Sequence, residues 1–281
     1  MRVSTQPSSP VERARLADID TTKAHAARVY DYLLGGTNNF EIDRQVAEQA
    51  NVGMPGGLDG ARTNVRSNRA FLDRAVRWLA EAGIRQFLDI GTGIPTSPNV
   101  HQVAQEVAPD ARVVYVDNDP IVLAHSHALL NGTPAGATAY ISDDLRDPDS
   151  VLRDAAATLD LSRPTAIVLM AILHFVSDED DPVGIVARLL DAVPSGSYLA
   201  LSHGALDIDT ERMSELAARL NERSAERVVW RRREDVARFV AGLDLVDPGL
   251  VAVDRWRPDG RGPEVPEGHP VPFYGVVARK P

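Results

Sequence analysis

The 281-residue sequence contains no cysteine, which excludes disulfides, zinc–cysteine sites and thiol nucleophiles. It also lacks an apolar run of the roughly 18 residues that a membrane-spanning helix needs. The longest such run, at 166–173, holds eight. The start of the chain has no apolar core of the kind found in secretory signals, so we expect a flexible polar tail at 1–20, a cytoplasmic location and no membrane partner.

Positive charge is scarce as well. The 30 Lys and Arg residues face 40 Asp and Glu, which gives a formal net charge of −10. A chain this acidic is repelled by phosphate, so a nucleic-acid partner would need a local basic face. Two arginine groups are candidates: Arg62, Arg66, Arg69, Arg74 and Arg77, and the run "RRR" at 231–233. Neither group is interleaved with aromatic platforms, and we interpret both as solvated helix faces that argue against nucleic-acid binding.

The first part of the chain is helical in pattern. Apolar residues recur at helical spacing over 26–34 and stop at Gly35, and further helices are predicted at 40–50 and 64–82. The glycine-rich stretch "NVGMPGGLDG" at 51–60 is predicted to be a loop. We therefore expect an N-terminal helical cap over 21–83.

After Gly83 the pattern changes to short apolar runs separated by helical stretches, which is typical of a parallel sheet covered on both faces. The runs lie at 85–90, 112–117, 137–142, 166–173, 197–203, 250–256 and 273–279. No helix fits in the Pro- and Gly-rich segment before the last run, so the last strand is predicted to be antiparallel. The predicted fold is α/β: a Rossmann-like, doubly wound, seven-stranded sheet over 84–281 with a terminal antiparallel hairpin.

Binding chemistry is expected where the first strands end, because open parallel sheets bind ligands at that edge. In "FLDIGTGIPTSPNV", Gly91 and Gly93 permit a tight turn, but the third glycine of a dinucleotide fingerprint would fall on Thr96. The second strand ends in Asp117, where a carboxylate can accept both hydroxyls of a ribose. The third is followed by Asp143 and Asp144, either of which could accept a hydrogen bond from an exocyclic amine such as that of adenine.

Together, "LDIGTG", "VYVDNDP" and "SDDLRDP" resemble the successive cofactor-binding motifs of class I S-adenosylmethionine-dependent methyltransferases. More narrowly, "ARVYDYLLGGTNNF", "AILHFVSDEDDP", "LSHG" and "DRWRP" resemble an actinobacterial methyltransferase-like family of unknown function, over nearly the whole chain from about residue 20. The resemblance implies S-adenosylmethionine as cofactor. It also implies these cofactor-binding residues: Asp89, Gly91, Thr92, Gly93, Asp117, Asn118, Asp143, Asp144, Leu145 and Ala171. Pro95 departs from the superfamily pattern, in which many members carry a third glycine.

The segment "RVYDYLLGGTNNF" at 28–40 has two interpretations. As structure alone it is a helix closed by a glycine, with an asparagine turn after it. However, the zwitterionic methionine end of the cofactor needs a cation for its carboxylate. We therefore predict a lid over the cofactor that supplies Arg28, Tyr30, Gly36 or Asn39.

Two histidines are candidate catalytic bases, because His174 follows the fourth strand and His203 ends the fifth. A base is required only if the acceptor arrives protonated. No metal site is predicted, since His125 and His127 are two residues apart on a predicted helix and their side chains diverge. Trp256 is placed either to anchor the hairpin or to face a substrate.

The predicted function is methyl transfer to a small-molecule acceptor. The sequence leaves open a second function, a cofactor-binding sensor or interaction module that transfers no methyl group. An NAD-dependent oxidoreductase fits the sheet but not the glycine fingerprint. The absence of a [DN]-P-P-[FY] motif after the fourth strand argues against the enzymes that methylate adenine or glutamine amino groups. The acceptor's identity and the oligomeric state are left open.

Overall fold

The computed structural model describes residues 20–125 and 131–281. Apart from Asp20, the tail predicted at 1–20 lies outside the described residues, as does His127. From Asp20 onward, three helices precede the first strand: α1 (Ala26–Leu34), α2 (Glu41–Ala50) and α3 (Gly57–Glu81). The first two match the prediction. The third begins earlier, because the glycine-rich stretch turns at Gly56 in the left-handed conformation and enters the helix directly.

The described residues form one eight-stranded sheet. Its strands are β1 (Gln86–Ile90), β2 (Arg112–Asp117), β3 (Ala137–Ser142), β4 (Ala166–Met170), β5 (Tyr198–Gly204), β6 (Asp244–Leu245), β7 (Val251–Ala252) and β8 (Phe273–Arg279). The order is β3-β2-β1-β4-β5-β8-β6, and β7 also pairs with β8. Strands β1 to β5 are parallel, and β8 is antiparallel to β5, β6 and β7. The predicted fold class is confirmed, with one short strand more than expected.

Helices cover both faces of this sheet. They are α4 (Val100–Val107), α5 (Pro120–His125), α6 (Pro148–Ala155), α7 (Pro182–Asp191), α8 (Thr210–Asn221) and α9 (Arg233–Ala237), with short 3-10 turns at Leu173–Phe175, Asp178–Asp180, Arg238–Val240 and Val253–Arg255. Alternate residues of β1 enter opposite cores: Leu88 packs with residues of α6 and α7, whereas Phe87 packs with residues of α3 and α4. Residues of α3 therefore belong to the core of the sheet. The domain boundary expected at residue 83 stays a prediction.

Two predicted strands are shorter than their apolar runs. β4 ends at Met170 because Ala171 adopts a left-handed backbone, with φ of 54°, and this turns the chain out of the sheet. The run at 250–256 contributes only the two residues of β7, and a 3-10 turn follows. Trp256 is fully buried, with its ring edge-on to Phe71 at 5.4 Å between centroids. It therefore packs in the core and does not face a substrate.

Across residues 20–125 and 131–281, every helix is too short or too polar to cross a lipid bilayer.

The contact between Phe71 and Trp256 gives a stability prediction. Phe71→Ala should lower the free energy of unfolding by about 3–5 kcal/mol, because it leaves a cavity between α3 and the sheet. Val52→Ala is the control, since Val52 is 66% exposed and a surface change of this kind is expected to stay within about 0.5 kcal/mol. Urea unfolding followed by circular dichroism measures both. A loss below about 1 kcal/mol for Phe71→Ala would show that this core is loosely packed.

Candidate functional site

A cavity lies at the carboxyl ends of the parallel strands. Strand order reverses between β1 and β4, and this switch point is where open α/β sheets bind ligands. The loops that follow β1, β2, β3 and β4 form one side of the cavity, and residues of α1 and α3 form another. The predicted site residues that line it are Tyr30, Asp89, Gly91, Thr92, Gly93, Asp117, Asn118, Asp143, Asp144, Leu145, Ala171 and His174.

The loop after β1 requires glycine at position 91. Gly91 has φ of 74°, and a Cβ atom there would lie 2.4 Å from Cγ1 of Ile172. Its N–H donates to the carbonyl of Val116 at 2.8 Å, which ties the loop to β2. The Thr92 hydroxyl donates to Oδ2 of Asp89 at 3.0 Å. The first motif therefore forms a closed turn whose backbone borders the cavity.

The second and third strand ends are linked to this turn. Oδ2 of Asp117 accepts the N–H of Gly93 at 2.8 Å, and its Oδ1 accepts the N–H of Asp119 at 2.9 Å. Nδ2 of Asn118 donates to Oδ2 of Asp144 at 3.0 Å. Because Asp117 is held by the loop after β1 and Asp144 by the loop after β2, the strand ends predicted from three separate motifs form one continuous wall.

Two of these carboxyl groups are electrostatically unusual. Burial raises the pKa of Asp89 to about 7, and the charge of nearby Asp117 acts in the same direction. Burial likewise raises the pKa of Asp117 to about 6, although backbone hydrogen bonds from Gly93 and Asp119 oppose the shift. The cavity therefore binds protons at mildly acidic pH, and a cation in it would favour the ionised carboxylates.

Of the four residues predicted to supply the lid, only Tyr30 lines the cavity. Arg28 is buried elsewhere, where its guanidinium donates to Oδ1 of Asp43 and to the carbonyls of Asp20 and Lys23. These three hydrogen bonds hold the entry to α1 against α2, and Arg28 does not line the cavity.

Gly36 and Asn39 also lie away from the cavity, in the turn after α1. A Cβ atom on Gly36 would lie 2.1 Å from Oδ1 of Asp31. Nδ2 of Asn39 donates to Oδ2 of the same carboxylate at 2.8 Å. Both residues therefore shape the turn around Asp31.

Arg69 is a cavity residue, although the sequence predicts it on a solvated helix face. It lies on α3, lines the cavity, and donates through Nη2 to the carbonyls of Thr96 at 2.5 Å and Pro98 at 2.6 Å. It falls four residues after Val65 and three before Leu72, both of which are buried residues of α3. That helical spacing was the signal that could have identified it.

The two candidate bases occupy different positions. His174 lines the cavity, whereas His203 is fully buried behind it and does not line it. Burial lowers the pKa of His203 to about 3. Burial, followed by electrostatic interactions with His203 and Arg231, holds the pKa of His174 well below 6.5. Both rings are neutral at physiological pH, and the structure brings only one of them to the cavity.

An ion-pair cluster attaches the start of α1 to the rest of the chain. Nδ1 of His25 lies 2.7 Å from Oδ2 of Asp119, and its Nε2 pairs with Glu226. Burial opposes the charged ring, but the hydrogen bonds and charges of both carboxylates outweigh it and raise the pKa of His25 to about 10. The N–H of Ala225 also donates to the carbonyl of Ala24 at 2.9 Å. His25 and Glu226 both line the cavity, so this cluster closes one side of it.

Within the two described ranges, no group of three or more His, Asp or Glu side chains is arranged to hold a metal ion. Nδ1 of His125 instead contacts the carbonyl of Ile121, one helical turn earlier.

The His25 cluster predicts a loss of stability at alkaline pH. Its contribution is complete below the ordinary histidine pKa of about 6.5 and is lost as pH rises towards 10, because only the folded state keeps the proton in that range. The loss should be on the order of 3 kcal/mol, since one pKa unit corresponds to about 1.4 kcal/mol and the ring is partly exposed.

Urea unfolding at pH 6, 8 and 10 should show this dependence in the wild type and in His269→Asn, a variant outside the cluster. His25→Asn should lack it. Equal pH dependence in all three proteins would mean that the ion pairs do not stabilise the fold.

A sequence profile of the S-adenosyl methyltransferase family matches residues 12–281. The crystal structure of a DUF574 family protein from Streptomyces avermitilis MA-4680 is 48% identical, with a TM-score of 0.89, and the match covers 93% of this chain and 99% of that one. A candidate methyltransferase from Thermobifida fusca YX is 42% identical, with a TM-score of 0.82 and coverages of 93% and 96%.

More distant structures share the fold alone. Magnesium protoporphyrin IX methyltransferase from Synechocystis PCC 6803, crystallised with S-adenosylmethionine, is 11% identical, with a TM-score of 0.51 and coverages of 95% and 97%. No curated protein matches the chain.

Proposed function

The chain belongs to the S-adenosyl methyltransferase family, its cofactor is S-adenosylmethionine, and we propose that it transfers the cofactor's methyl group to a small-molecule acceptor in the cavity beside α1. The observation that carries this proposal is the composition of that cavity. Three acidic strand ends, at Asp89, Asp117 and Asp143–Asp144, face it together with Tyr30 and Arg69 from the N-terminal helices. Polar groups that converge on one partly apolar cavity are typical of a small-molecule site.

We refer to the acidic strand ends at Asp89, Asp117 and Asp143–Asp144 as the acidic wall. This wall suits the nucleoside and sulfonium parts of the cofactor. When bound, S-adenosylmethionine supplies an electrophilic methyl group on a cationic sulfur. Asp117 would accept the ribose hydroxyls, and Asp143 would accept the exocyclic amine of the adenine. The carboxylates of this wall favour a positive ligand at short range.

We assign the binding of the cofactor's methionine end to residues of α3. Nε of Arg69 and Oδ1 of Asn68 are buried and have no hydrogen-bond partner among the described residues, although both residues line the cavity. One is a donor and the other an acceptor, and buried polar atoms of this kind are seldom left unpaired. A zwitterionic amino acid would supply a carboxylate for Arg69 and an ammonium for Asn68. We therefore assign to Arg69 the role that the sequence analysis gave to Arg28.

The protein's contribution to transfer is mainly positional. Methyl transfer needs the acceptor atom in line with the bond that breaks, and holding two reactants in that geometry can supply much of the rate. The His25 cluster and α1 would exclude water from one side of the cavity. Since His174 is a weak base at neutral pH, we assign it a hydrogen-bonding role at the acceptor. We assign His203 no direct role.

Transfer of a labelled methyl group tests the proposal. Incubation with methyl-labelled S-adenosylmethionine and a panel of small acceptors should yield at least one labelled product. Arg69→Met should weaken S-adenosylmethionine binding at least about tenfold, because a hydrogen bond to a charged group contributes about 1.5–3 kcal/mol. Isothermal titration calorimetry measures this affinity.

The matched control is Arg66→Met, since Arg66 is exposed on the same helix. It should bind the cofactor like the wild type. Equal losses in both variants would remove the assignment of Arg69. Failure of the wild type to bind S-adenosylmethionine would overturn the proposed function.

The raised carboxyl pKa values predict pH-dependent binding. S-adenosylmethionine should bind more tightly as pH rises from 5.5 to 8, because its positive sulfur favours the ionised forms of Asp89 and Asp117, whose pKa values are about 7 and 6. Binding near pH 6 should release protons, which calorimetry in buffers of different ionisation enthalpy detects.

S-adenosylhomocysteine is the control, since its sulfur is uncharged and the two ligands otherwise differ only by the methyl group. Its affinity should change less over the same pH range. Identical pH profiles for the two ligands would show that these carboxylates do not sense the sulfonium charge.

A further inference from the structure

The cavity is divided by charge. Four of its acidic side chains lie at or just after the ends of β1, β2 and β3, and Asp31 and Glu226 lie on the side formed by α1 and the His25 cluster. The part that follows β4 and begins β8 is formed by Ile172, His174, Phe175, Val176 and Phe273. None of these five carries a charge at neutral pH, since His174 is held neutral. The rings of Phe175 and Phe273 are only partly buried. We refer to these five residues as the uncharged wall.

The charge of Arg146, which contacts this wall, is already paired. Arg146 lines the cavity and donates to the carbonyl of Phe175 at 3.1 Å. Its guanidinium also lies 3.0 Å from Oδ2 of Asp144 and 3.5 Å from Oδ2 of Asp180. The uncharged wall therefore offers no free counter-ion to a charged group, and burying such a group without a partner is costly.

One buried residue outside the cavity organises this wall. Arg231 begins the "RRR" run, which the sequence predicts to be solvated, yet it is only 6% exposed. It donates through Nη1 to the carbonyl of Leu173 at 3.0 Å and through Nη2 to that of Val176 at 2.8 Å. It also pairs with Asp178, with Nη2 to Oδ1 at 2.6 Å. Its planar fork thus holds both ends of the turn that carries His174 and Phe175.

Arg231 also fixes the histidine behind the wall. Its Nη1 lies 3.1 Å from Nε2 of His203, and Nδ1 of His203 lies 2.8 Å from the carbonyl of Gly204. Arginine can only donate and a carbonyl can only accept. His203 therefore carries its proton on Nδ1. Its ring packs edge-on against His174, with centroids 5.5 Å apart, so a second neutral ring lies behind the one that lines the cavity.

We propose that Arg231 is a positioning residue that sets the uncharged wall as the subsite for a neutral, ring-bearing acceptor. This inference rests on the proposed function, because it takes the acidic side of the cavity to be occupied by the cofactor. Partly exposed phenylalanine rings favour a planar apolar ring by stacking or edge-to-face contact. A neutral histidine beside them provides one hydrogen bond to an oxygen or nitrogen on that ring.

Three naphthalene probes of matched size test the acceptor class. At pH 7, 2-naphthol is neutral, 2-naphthoate is anionic and 2-naphthylmethylamine is cationic. Calorimetry on the protein loaded with S-adenosylhomocysteine should show that 2-naphthol binds at least about tenfold more tightly than either charged probe. Equal or tighter binding of a charged probe would overturn the inference, as would an absence of 2-naphthol binding to the loaded protein.

Substitutions test the role of Arg231. Arg231→Gln should weaken 2-naphthol binding at least about fivefold and leave the affinity for S-adenosylhomocysteine within about twofold of the wild type. Hydrogen exchange should become faster at the amides of 173–178 and stay unchanged in β1 to β3. Arg232→Gln is the matched control, since the neighbouring Arg232 is exposed, and it should match the wild type in every measurement.

The outcomes separate the two proposals. If 2-naphthol binding and hydrogen exchange are unchanged in Arg231→Gln, the positioning role is overturned. If this variant loses affinity for S-adenosylhomocysteine as well as for 2-naphthol, the role of Arg231 is only structural and the inference is overturned too. Should that variant not fold, Phe273→Ala must weaken 2-naphthol binding with cofactor affinity retained. A wild type that binds no S-adenosylhomocysteine contradicts the proposed function itself.

Discussion

The parallel pairing of β1 with β2 on one side and β4 on the other is the constraint on which the site depends. Asp89 stands opposite Tyr115 in β2 and Val168 in β4, so the loops after all three strands leave the sheet at the same edge. They share so little space that Gly91 packs directly against Ile172. Any side chain at position 91 would separate the acidic wall from the uncharged wall.

The order of strands also divides the charges of the cavity. The acidic ends of β1, β2 and β3 are neighbours in the sheet, and the uncharged residues come from β4 and β8 on the other side of the switch point. Burying Asp89 and Asp117 together raises the pKa of both. In the proposed reaction, the cationic cofactor would offset that cost, and a neutral acceptor would avoid a similar cost at the uncharged wall. The strand order thus suits the two proposed ligands, which differ in charge.

The third side of the cavity depends on contacts between distant parts of the chain. The N–H of Ala26 donates to Oε2 of Glu226 at 3.1 Å, across 200 residues of sequence, and His25 joins Glu226 to Asp119. These polar contacts hold α1 beside the site. Ion pairs with a partly exposed member are weaker than core packing, so this side of the cavity is attached less firmly than α3, which is buried against the sheet.

The sequence by itself determined the features that depend on local pattern. These are the helices before Gly83, the alternation of strands and helices, the glycine turn after β1 and the acid that ends β2, because chain periodicity and backbone conformation are properties of neighbouring residues. Only the tertiary structure decided which polar side chains reach the cavity. Arg28 and Arg69 both lie on amphipathic helices, yet one pairs with Asp43 and the other lines the site. His174 and His203 both lie at the same edge of the sheet. His174 lines the cavity, whereas His203 is buried behind it and contacts Arg231. The partners of these long polar side chains lie outside their own helix or strand, so the periodicity of one element does not encode which partner is used.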